Sequence, residues 1–362
     1  MRVIDLYHAT EDHILALPIF NENGKILLSN GVSLRPSLIA RLIDMGYSRV
    51  YIKDEYSQQD IEDIIKPEVR QKAIGHVRRL ASIVREEGKN PNSTSSEFTK
   101  DLNMAKATIS TIVDEIFAKN DIVLELLDLK TVEGYIYEHS INVMIHSLVL
   151  GTTLGLNKQD LDKLALAAAL HDIGMMFVPE DILKKRSPLT EKEFKEIETH
   201  AVKGYEFLKT KQDINPTIRI PALQHHKRYD NSGYPDTVDY KDTHLFSRII
   251  AVADTFDAMT SHRPYRKAEP VSEVLEYIMG SGGTLFHPTL TKAFILNINP
   301  YPVNTLVKLS DGSIGVVVKV NGRFFSRPVI RLIIDKDRKN TSNTVDLLEN
   351  KTLVIKEMIS SI

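Results

Sequence analysis

Cysteine is absent from the 362 residues of the chain. This absence excludes disulfide bonds, thiolate metal ligands and a cysteine nucleophile, so any metal would be held by nitrogen and oxygen atoms. An excess of charge is also absent, because 46 Lys and Arg stand against 48 Asp and Glu, a formal net charge of -2. Proteins that bind nucleic-acid polymers usually carry a clustered basic excess. We therefore expect no nucleic-acid polymer as a partner.

The sequence also lacks an apolar run near the ~18 residues that a membrane-spanning helix needs. Residues 1–13 carry acidic side chains where a signal peptide would have its apolar stretch. Hydrophobic residues nevertheless make up 42% of the chain, which is enough for a sizeable core. These features predict a cytoplasmic, soluble protein without a membrane span.

The chain is long enough for two or three domains of ~100–200 residues, and its patterns change along it. Residues 1–60 predict a small α/β module, with a hairpin turn at Asn23-Gly24. Residues 61–105 predict a charged helix and a linker, with Pro67 breaking or kinking the helix. Residues 106–300 repeat apolar side chains at spacings of three and four, which predicts an all-helical domain.

Residues 301–362 differ from the helical region. They alternate between apolar and polar side chains, are rich in β-branched residues and contain the turn signals Asp311-Gly312 and Asn321-Gly322. This pattern predicts a small β module at the C-terminus. The expected fold class is therefore mainly α, with a small α/β module before the helical domain and a small β module after it.

Chemistry is concentrated in the helical region, where eight of the 12 histidines lie between residues 139 and 262. The adjacent pair His171-Asp172 ends a predicted helix rich in Ala and Leu, and Gly174 would permit the backbone turn that follows. A buried imidazole and carboxylate cost free energy unless they are paired or bind a cation. A lone His-Asp dipeptide is more often a helix cap or an ion pair, so the interpretation depends on further partners.

Further donors lie on other predicted helices. Taken alone, His139 would be a buried core histidine, and His225-His226 could serve two metals or one metal and a supporting role. Together the donors are seven, on five predicted helical segments: His139, His171, Asp172, His200, His225, His226 and Asp254. A carboxylate between two cations, surrounded by imidazoles, suits iron, manganese or another borderline divalent ion. Two metals ~3.5–4 Å apart can stabilise both the attacking and the leaving oxygen of a phosphoryl displacement.

Several motifs, in this order, resemble the HD-GYP family, the subgroup of the HD phosphohydrolase superfamily that degrades cyclic di-GMP in bacteria. They are HSINV at 139–143, HDIG at 171–174 with VP at 178–179, His200 with Gly204, HHKRYDNSGYP at 225–235, and RIIAVADTFDAMTSHRPYR at 248–266. The resemblance covers about residues 106–300, and the last two motifs are highly specific.

The resemblance implies an all-helical HD-type domain in which the seven donors are metal ligands. His171 and Asp172 would be the catalytic pair, and Asp172 would bridge two divalent ions. Iron or manganese is expected at this site, with nickel and zinc as alternatives. The substrate contacts implied in the same way are Gly233, Tyr234, Asp257, Arg263 and Arg266, with Pro235 completing the GYP loop. A guanidinium can form forked hydrogen bonds to phosphate oxygens, although solvated surface arginines are an equal alternative.

The implied reaction is hydrolysis of cyclic di-GMP to pGpG, with a second cut to GMP left open, by a hydroxide that bridges the two metals. Three residues depart from the family pattern. Tyr135 stands where some members have a Glu for a third metal, Met175 where many have Lys, and Lys227 where the family has Glu. These departures keep open a cyclic di-GMP receptor with little turnover that signals through its flanking modules. Hydrolysis of another cyclic dinucleotide, and a homodimer, are further alternatives.

Overall fold

The computed structural model describes residues 1–21, 24–57, 64–89, 96–119, 124–125, 135–185, 187–261, 268–322 and 324–362. The chain forms two compact units. The first comprises Met1–Asp63, Val123–Glu133 and Ile298–Ile362, and the second comprises Ile64–Ile122 and Gly134–Asn297. The two ends of the chain therefore belong to the same unit.

The N-terminal part of the first unit is a small α/β module, as predicted. Its elements are β1 (Arg2–Asp5), β2 (Ile14–Leu15), β3 (Ile19–Phe20), β4 (Ile26–Leu28), helix α1 (Pro36–Asp44) and β5 (Arg49–Lys53). Strands β1, β5 and β2 form an antiparallel sheet in that order, and β3 pairs with β4. The apolar runs on both sides of the predicted turn thus pair, while Asn23 itself lies outside the described residues.

The C-terminal part of the first unit is the predicted β module. A short parallel pair joins β6 (Leu124–Glu125) to β7 (Ile298–Asn299), and the further strands are β8 (Leu306–Leu309), β9 (Ile314–Lys319), β10 (Val329–Ile334), β11 (Thr344–Asp346) and β12 (Ile355–Met358). The last five form an antiparallel sheet in the order β11-β10-β9-β8-β12. Hydrogen bonds of 3.0 Å from Arg2 to the Ser360 carbonyl and from Asn304 to the Met1 carbonyl join the chain ends.

The second unit is helical, as the apolar spacing predicted. Its helices are α2 (Pro67–Lys89), α3 (Ser96–Phe117), α4 (Tyr135–Thr153), α5 (Lys158–Leu170), α6 (Glu180–Leu183), α7 (Glu191–Lys209), α8 (Pro216–Gln224), α9 (Leu245–Thr260), α10 (Val271–Gly280) and α11 (Pro288–Ile295). A 3₁₀ helix, Ile173–Phe177, follows α5. Pro67 begins α2 instead of interrupting a helix, which suits a residue without a backbone N–H.

The core of the helical unit is centred on α4, which packs against α5 and α9. Every residue from His139 to Gly151 is buried, which is typical of a helix that is surrounded on all sides. The last half of α5 is equally buried. His139, near the start of α4, and His171, directly after α5, therefore lie inside the protein and not at its surface. None of the helices in the described part of the chain has both the length and the apolar character needed to cross a membrane.

Candidate metal centre

Helices α4, α5, α7, α8 and α9 bring all seven predicted donors to one place. They form two adjoining groups, one of Asp172, His200, His225 and His226 and the other of His139, His171 and Asp254. Within each group, one nitrogen or oxygen atom of every residue lies within 4.8 Å of the others. The donors come from helix interiors and from the first residues after α5 and α8, where the backbone turns and can present two adjacent side chains.

Asp172 lies between the two groups and has one carboxylate oxygen facing each. Its Oδ1 is 3.2 Å from Nε2 of His200 and 3.5 Å from Nε2 of His225. Its Oδ2 is 3.6 Å from Nε2 of His171 and 3.7 Å from Nε2 of His139. Such a carboxylate is suited to bridge two cations, one on each side.

Asp254 is the second carboxylate of the centre and also spans it. Its Oδ1 lies 3.1 Å from Nε2 of His139, and its Oδ2 lies 3.8 Å from Nδ1 of His226. The centre is thus lined by two carboxylates and five imidazoles, all oxygen and nitrogen donors of the kind that borderline divalent ions bind.

Hydrogen bonds behind the imidazoles fix which nitrogen faces the centre. Three rings donate from Nδ1 to a backbone carbonyl earlier in their own helix: His171 to Ala168 at 2.7 Å, His200 to Ile197 at 2.7 Å and His225 to Pro221 at 2.8 Å. A carbonyl oxygen can only accept, so Nδ1 carries the proton and Nε2 keeps its lone pair in the neutral ring. Support of this kind is what metal-binding histidines require.

His139 is supported differently, by the side chain of Asp257. Nδ1 of His139 donates to Oδ2 of Asp257 at 2.6 Å, and Asn142 donates to the other oxygen of Asp257 at 2.9 Å. Asp257 is only 3% exposed and lies behind His139. The resemblance grouped Asp257 with the substrate contacts, whereas these hydrogen bonds make it a residue that orients the imidazole of His139.

Asn142 belongs to the site, and this role was not predicted from the sequence. The signal that could have revealed it is its position one turn after His139, as an amide in the otherwise apolar stretch INVMI. A buried amide needs hydrogen-bond partners, and such a residue three positions from a donor histidine is on the same helix face.

Gly174 is needed for close packing, not for the turn that we expected. Its φ is not positive. A Cβ atom at Gly174 would lie 2.0 Å from the carbonyl oxygen of His200. The glycine of the HDIG motif therefore lets the segment after Asp172 lie directly against α7, which carries His200.

The charges of the centre favour binding of a cation. Burial opposes ionisation of Asp172, but the neighbouring imidazoles of His171, His200 and His225 outweigh it and lower its pKa well below the usual value. The pKa of Asp254 is lowered in the same way, chiefly by its hydrogen bond with His139. Both side chains are therefore carboxylates at neutral pH.

His171 and His226 differ from His139 in protonation. Burial lowers the pKa of His171 to about 4 and that of His226 well below its usual value, so both are neutral at pH 7. Burial also opposes the charge of His139, but hydrogen bonds with Asp254 and Asp257 raise its pKa to about 9. His139 therefore carries a proton that a metal would have to displace.

The His171 side chain shows most directly that the residues fit a metal. It is fully buried, and its Nε2 has no hydrogen-bond partner within the described residues. An unsatisfied buried nitrogen costs about 1–3 kcal/mol. A cation between Asp172, Asp254 and His139 would satisfy this lone pair and offset the two buried carboxylates.

The GYP loop lies beside this centre. Gly233 has a φ of 75°, and a Cβ atom there would be 2.1 Å from the carbonyl oxygen of His226, so the loop can approach His226 only with glycine. The ring of Tyr234 packs 4.5 Å from that of His226. Burial and the charges of Asp172 and Asp254 raise the pKa of Tyr234, so its hydroxyl remains a neutral donor. Arg263 and Arg266 lie outside the described residues.

The three departures from the family pattern take defined positions. Tyr135 begins α4 and stacks on His139, with ring centroids 5.4 Å apart. Met175 lies in the 3₁₀ helix after Asp172. Lys227 is buried. The pKa of Asp239 is lowered by hydrogen bonds from Asn231 and Lys241 and also by the charge of Lys227.

Comparison with known proteins gives two family matches. Residues 122–290 match the family described as HD domain, and residues 306–362 match a KOW domain associated with HD domain.

Curated relatives carry the same region. A cyclic di-GMP phosphodiesterase of Pseudomonas aeruginosa is 34% identical over 237 residues, which are 64% of this chain and 57% of that protein. The cyclic di-GMP phosphodiesterase response regulator RpfG of Xanthomonas campestris is 40% identical over 145 residues, 39% of this chain and 38% of that protein. A 3′3′-cGAMP-specific phosphodiesterase of Vibrio cholerae is 27% identical over 263 residues, 70% of this chain and 56% of that protein. The chain thus spans between 38% and 57% of the length of these relatives.

These matches agree with the motifs and with the helical fold. The HD match begins before the first donor, His139, and ends after the last, Asp254, so it contains all seven. The resemblance drawn from the motifs is confirmed, and residues 122–290 of this chain match the HD domain family.

Proposed function

We propose that this protein is a metal-dependent phosphodiesterase that opens cyclic di-GMP to linear pGpG. The observation that carries the proposal is the position of Asp172, whose two oxygens face two separate groups of donors. Asp172, His200, His225 and His226 would hold one divalent ion, and His139, His171, Asp254 and the other oxygen of Asp172 would hold a second. Iron and manganese suit this donor set, and nickel and zinc follow.

Two divalent ions in such a centre would make a water molecule acidic enough to attack at neutral pH and would stabilise charge on the phosphoryl oxygens. The protein itself would hold the reacting groups. The neutral imidazole of His171, fixed through Nδ1, presents its lone pair without prior loss of a proton. The ring of Tyr234 packs beside that of His226, and its hydroxyl is proposed to donate a hydrogen bond to a phosphate oxygen. Arg263 and Arg266 are proposed to bind the phosphates from the segment that follows α9.

The substrate is proposed as cyclic di-GMP because two relatives with 34% and 40% identity are named phosphodiesterases for it. A second candidate is 3′3′-cGAMP, since a relative specific for it aligns with 70% of this chain. Both substrates present the same kind of phosphodiester to the centre, so the metal-binding residues do not discriminate between them. Competition between the two cyclic dinucleotides in one assay would decide.

The test combines elemental analysis with product identification. Protein purified without oxygen should contain two equivalents of divalent metal and convert cyclic di-GMP to pGpG, with GMP as a later product if a second cut occurs. Binding of cyclic di-GMP without pGpG or GMP, at full metal occupancy, would contradict the enzyme and support the receptor that Tyr135, Met175 and Lys227 suggest. The homodimer and the cytoplasmic location stay predictions from the sequence.

A further inference from the structure

Helix α2 reaches the candidate metal centre through Arg70. This arginine lies outside the matched HD region, residues 122–290. Its guanidinium donates a hydrogen bond to Oδ1 of Asn142 on α4. Asn142 in turn donates a hydrogen bond to Asp257, and Asp257 accepts a second hydrogen bond from Nδ1 of His139. Three hydrogen bonds therefore connect α2 to a metal-binding imidazole, and we refer to Arg70, Asn142, Asp257 and His139 as the relay.

The chemistry of the relay gives it one direction. An amide side chain can present either its oxygen or its NH₂ group to a neighbour, and the two orientations differ only by a rotation. Arg70 can only donate, so it fixes the oxygen of Asn142 toward itself. The NH₂ group of Asn142 then necessarily faces Asp257. The Asp257 carboxylate can only accept and therefore favours the same orientation. Without Arg70, the Asn142 oxygen would lose this partner, and Asp257 would have to hold the amide without it.

The orientation of Asp257 matters because His139 depends on it. The other three imidazoles held through Nδ1 are fixed by backbone carbonyls, which are part of their helices. His139 alone among these four is fixed by a side chain, and a side chain has rotational freedom unless a further partner removes it. Asn142 is one such partner of Asp257, and Arg70 holds Asn142. His146, whose Nε2 lies 3.9 Å from Oδ1 of Asp257, faces the same carboxylate.

We propose that Arg70 is a positioning residue for the metal centre: through Asn142 and Asp257 it holds His139 in the orientation that binds metal, so that α2 helps to set the metal affinity. The proposal rests on the proposed function only in that it takes His139 as a metal ligand. Helix α2 also contacts the segment that follows Asp172. Arg85 near the end of α2 contacts Glu180 and lies 3.8 Å from the sulfur of Met176, in the 3₁₀ helix that follows Asp172.

The test is Mn²⁺ binding by equilibrium dialysis, in the full chain and without nucleotide. Arg70→Met should weaken the affinity for the Mn²⁺ ion that His139 binds about tenfold. This is the lower end of the loss of metal affinity expected when a supporting residue is removed. Arg78→Met is the matched control. Arg78 is on the same helix and also contacts α4, with its guanidinium 5.3 Å from the ring centre of Tyr137, but it is not part of the relay. We expect its Mn²⁺ affinity to stay within about twofold of the wild type.

Coupling distinguishes a relay from general loosening of α2. Combining Arg70→Met with Asp257→Asn should weaken Mn²⁺ binding much less than the product of the two separate effects, because both interrupt the same chain of hydrogen bonds. Combining Arg78→Met with Asp257→Asn should give the simple product. Equal Mn²⁺ affinity in Arg70→Met and the wild type, or independent effects of Arg70 and Asp257, would overturn the proposal.

Arg70→Lys guards against a folding defect, because it keeps the charge but ends in an ammonium group on a shorter side chain, in place of the guanidinium whose Nη2 meets Asn142. This variant should bind Mn²⁺ more weakly than the wild type and have an unchanged melting temperature. If an Arg70 variant that folds binds Mn²⁺ with wild-type affinity, the proposal is overturned. Since Mn²⁺ binding is measured without turnover, an inactive wild-type protein would refute the proposed function while leaving this result intact.

Discussion

Gly174 and Gly204 lie against each other, backbone to backbone, where the segment after Asp172 meets helix α7. A Cβ atom at Gly174 would be 2.6 Å from the nitrogen of Gly204 and 2.8 Å from its Cα. Because these neighbours are backbone atoms, they cannot rotate away as a side chain can. The contact fixes the distance between the His171-Asp172 pair and His200, which lie on the two sides of it.

Gly174→Ala should therefore destabilise the protein and disturb the centre. Overpacking of this kind costs about 1–3 kcal/mol, which urea unfolding would measure, and metal content should fall because His200 is displaced. Gly280→Ala is the control, since Gly280 ends a helix with open space around it. Equal stability and equal metal content in the two variants would show that the contact does not hold His200 in place.

Asp172→Asn tests the shared carboxylate. The amide keeps the size of the side chain but removes a negative charge and one of the two oxygen donors, so we expect fewer than two metals per chain. Loss of activity should exceed the about 10–100-fold that loss of a supporting residue typically causes. Elemental analysis and a pGpG assay measure the two effects. Asp181→Asn, at an exposed carboxylate on α6, should change neither, and a fully active Asp172→Asn enzyme would contradict the assignment.

The pKa of His139 predicts how metal binding depends on pH. With a pKa of about 9, this imidazole is protonated at pH 7 in the metal-free protein and must lose that proton to bind a cation. Mn²⁺ affinity should therefore rise with pH, about tenfold per unit for one displaced proton, and level off above about pH 9. The raised pKa of His200, which burial opposes and Asp172 causes, acts in the same direction.

Calorimetry of Mn²⁺ binding in buffers with different ionisation enthalpies would count the released protons. Asp257→Asn is the informative comparison, because it removes one of the two carboxylates that raise the pKa of His139. Fewer protons should then be released at pH 8. Proton release that does not change in this variant would mean that His139 is not the group being displaced.

Tyr234→Phe tests the substrate side of the centre. The ring would still pack on His226, so metal content should not change, but the hydroxyl would be lost. A hydrogen bond to a charged oxygen contributes about 1.5–3 kcal/mol, so kcat/KM for cyclic di-GMP should fall at least about tenfold. Tyr277→Phe, at an exposed ring on α10, is the matched control. An unchanged kcat/KM in Tyr234→Phe would exclude its hydroxyl from phosphate binding.

The sequence was sufficient for the fold class and for the seven donors. Helices α4 and α5 could be predicted because their apolar residues recur at helical spacing, and the β module could be predicted from alternation and from turn signals such as Asp311-Gly312. The donors could be found because histidine and aspartate in apolar helices are costly unless they bind something.

The supporting residues were harder to predict because their roles depend on tertiary packing. Asp257 was grouped with the substrate contacts, yet it accepts hydrogen bonds from His139 and Asn142, more than a hundred residues earlier in the chain. Arg70 gave no sequence signal, since a charged residue on a charged helix is usually solvated. The role of Gly174 was likewise set by a helix that passes it and not by its own backbone.

The most direct test of the account is an anomalous difference map from crystals of the full chain purified without oxygen. We expect two peaks on either side of the Asp172 carboxylate, one next to His200, His225 and His226 and the other next to His139, His171 and Asp254. A single peak, or peaks that lie away from Asp172 in protein shown to contain two equivalents of metal, would contradict the claim that these seven residues form one dinuclear centre.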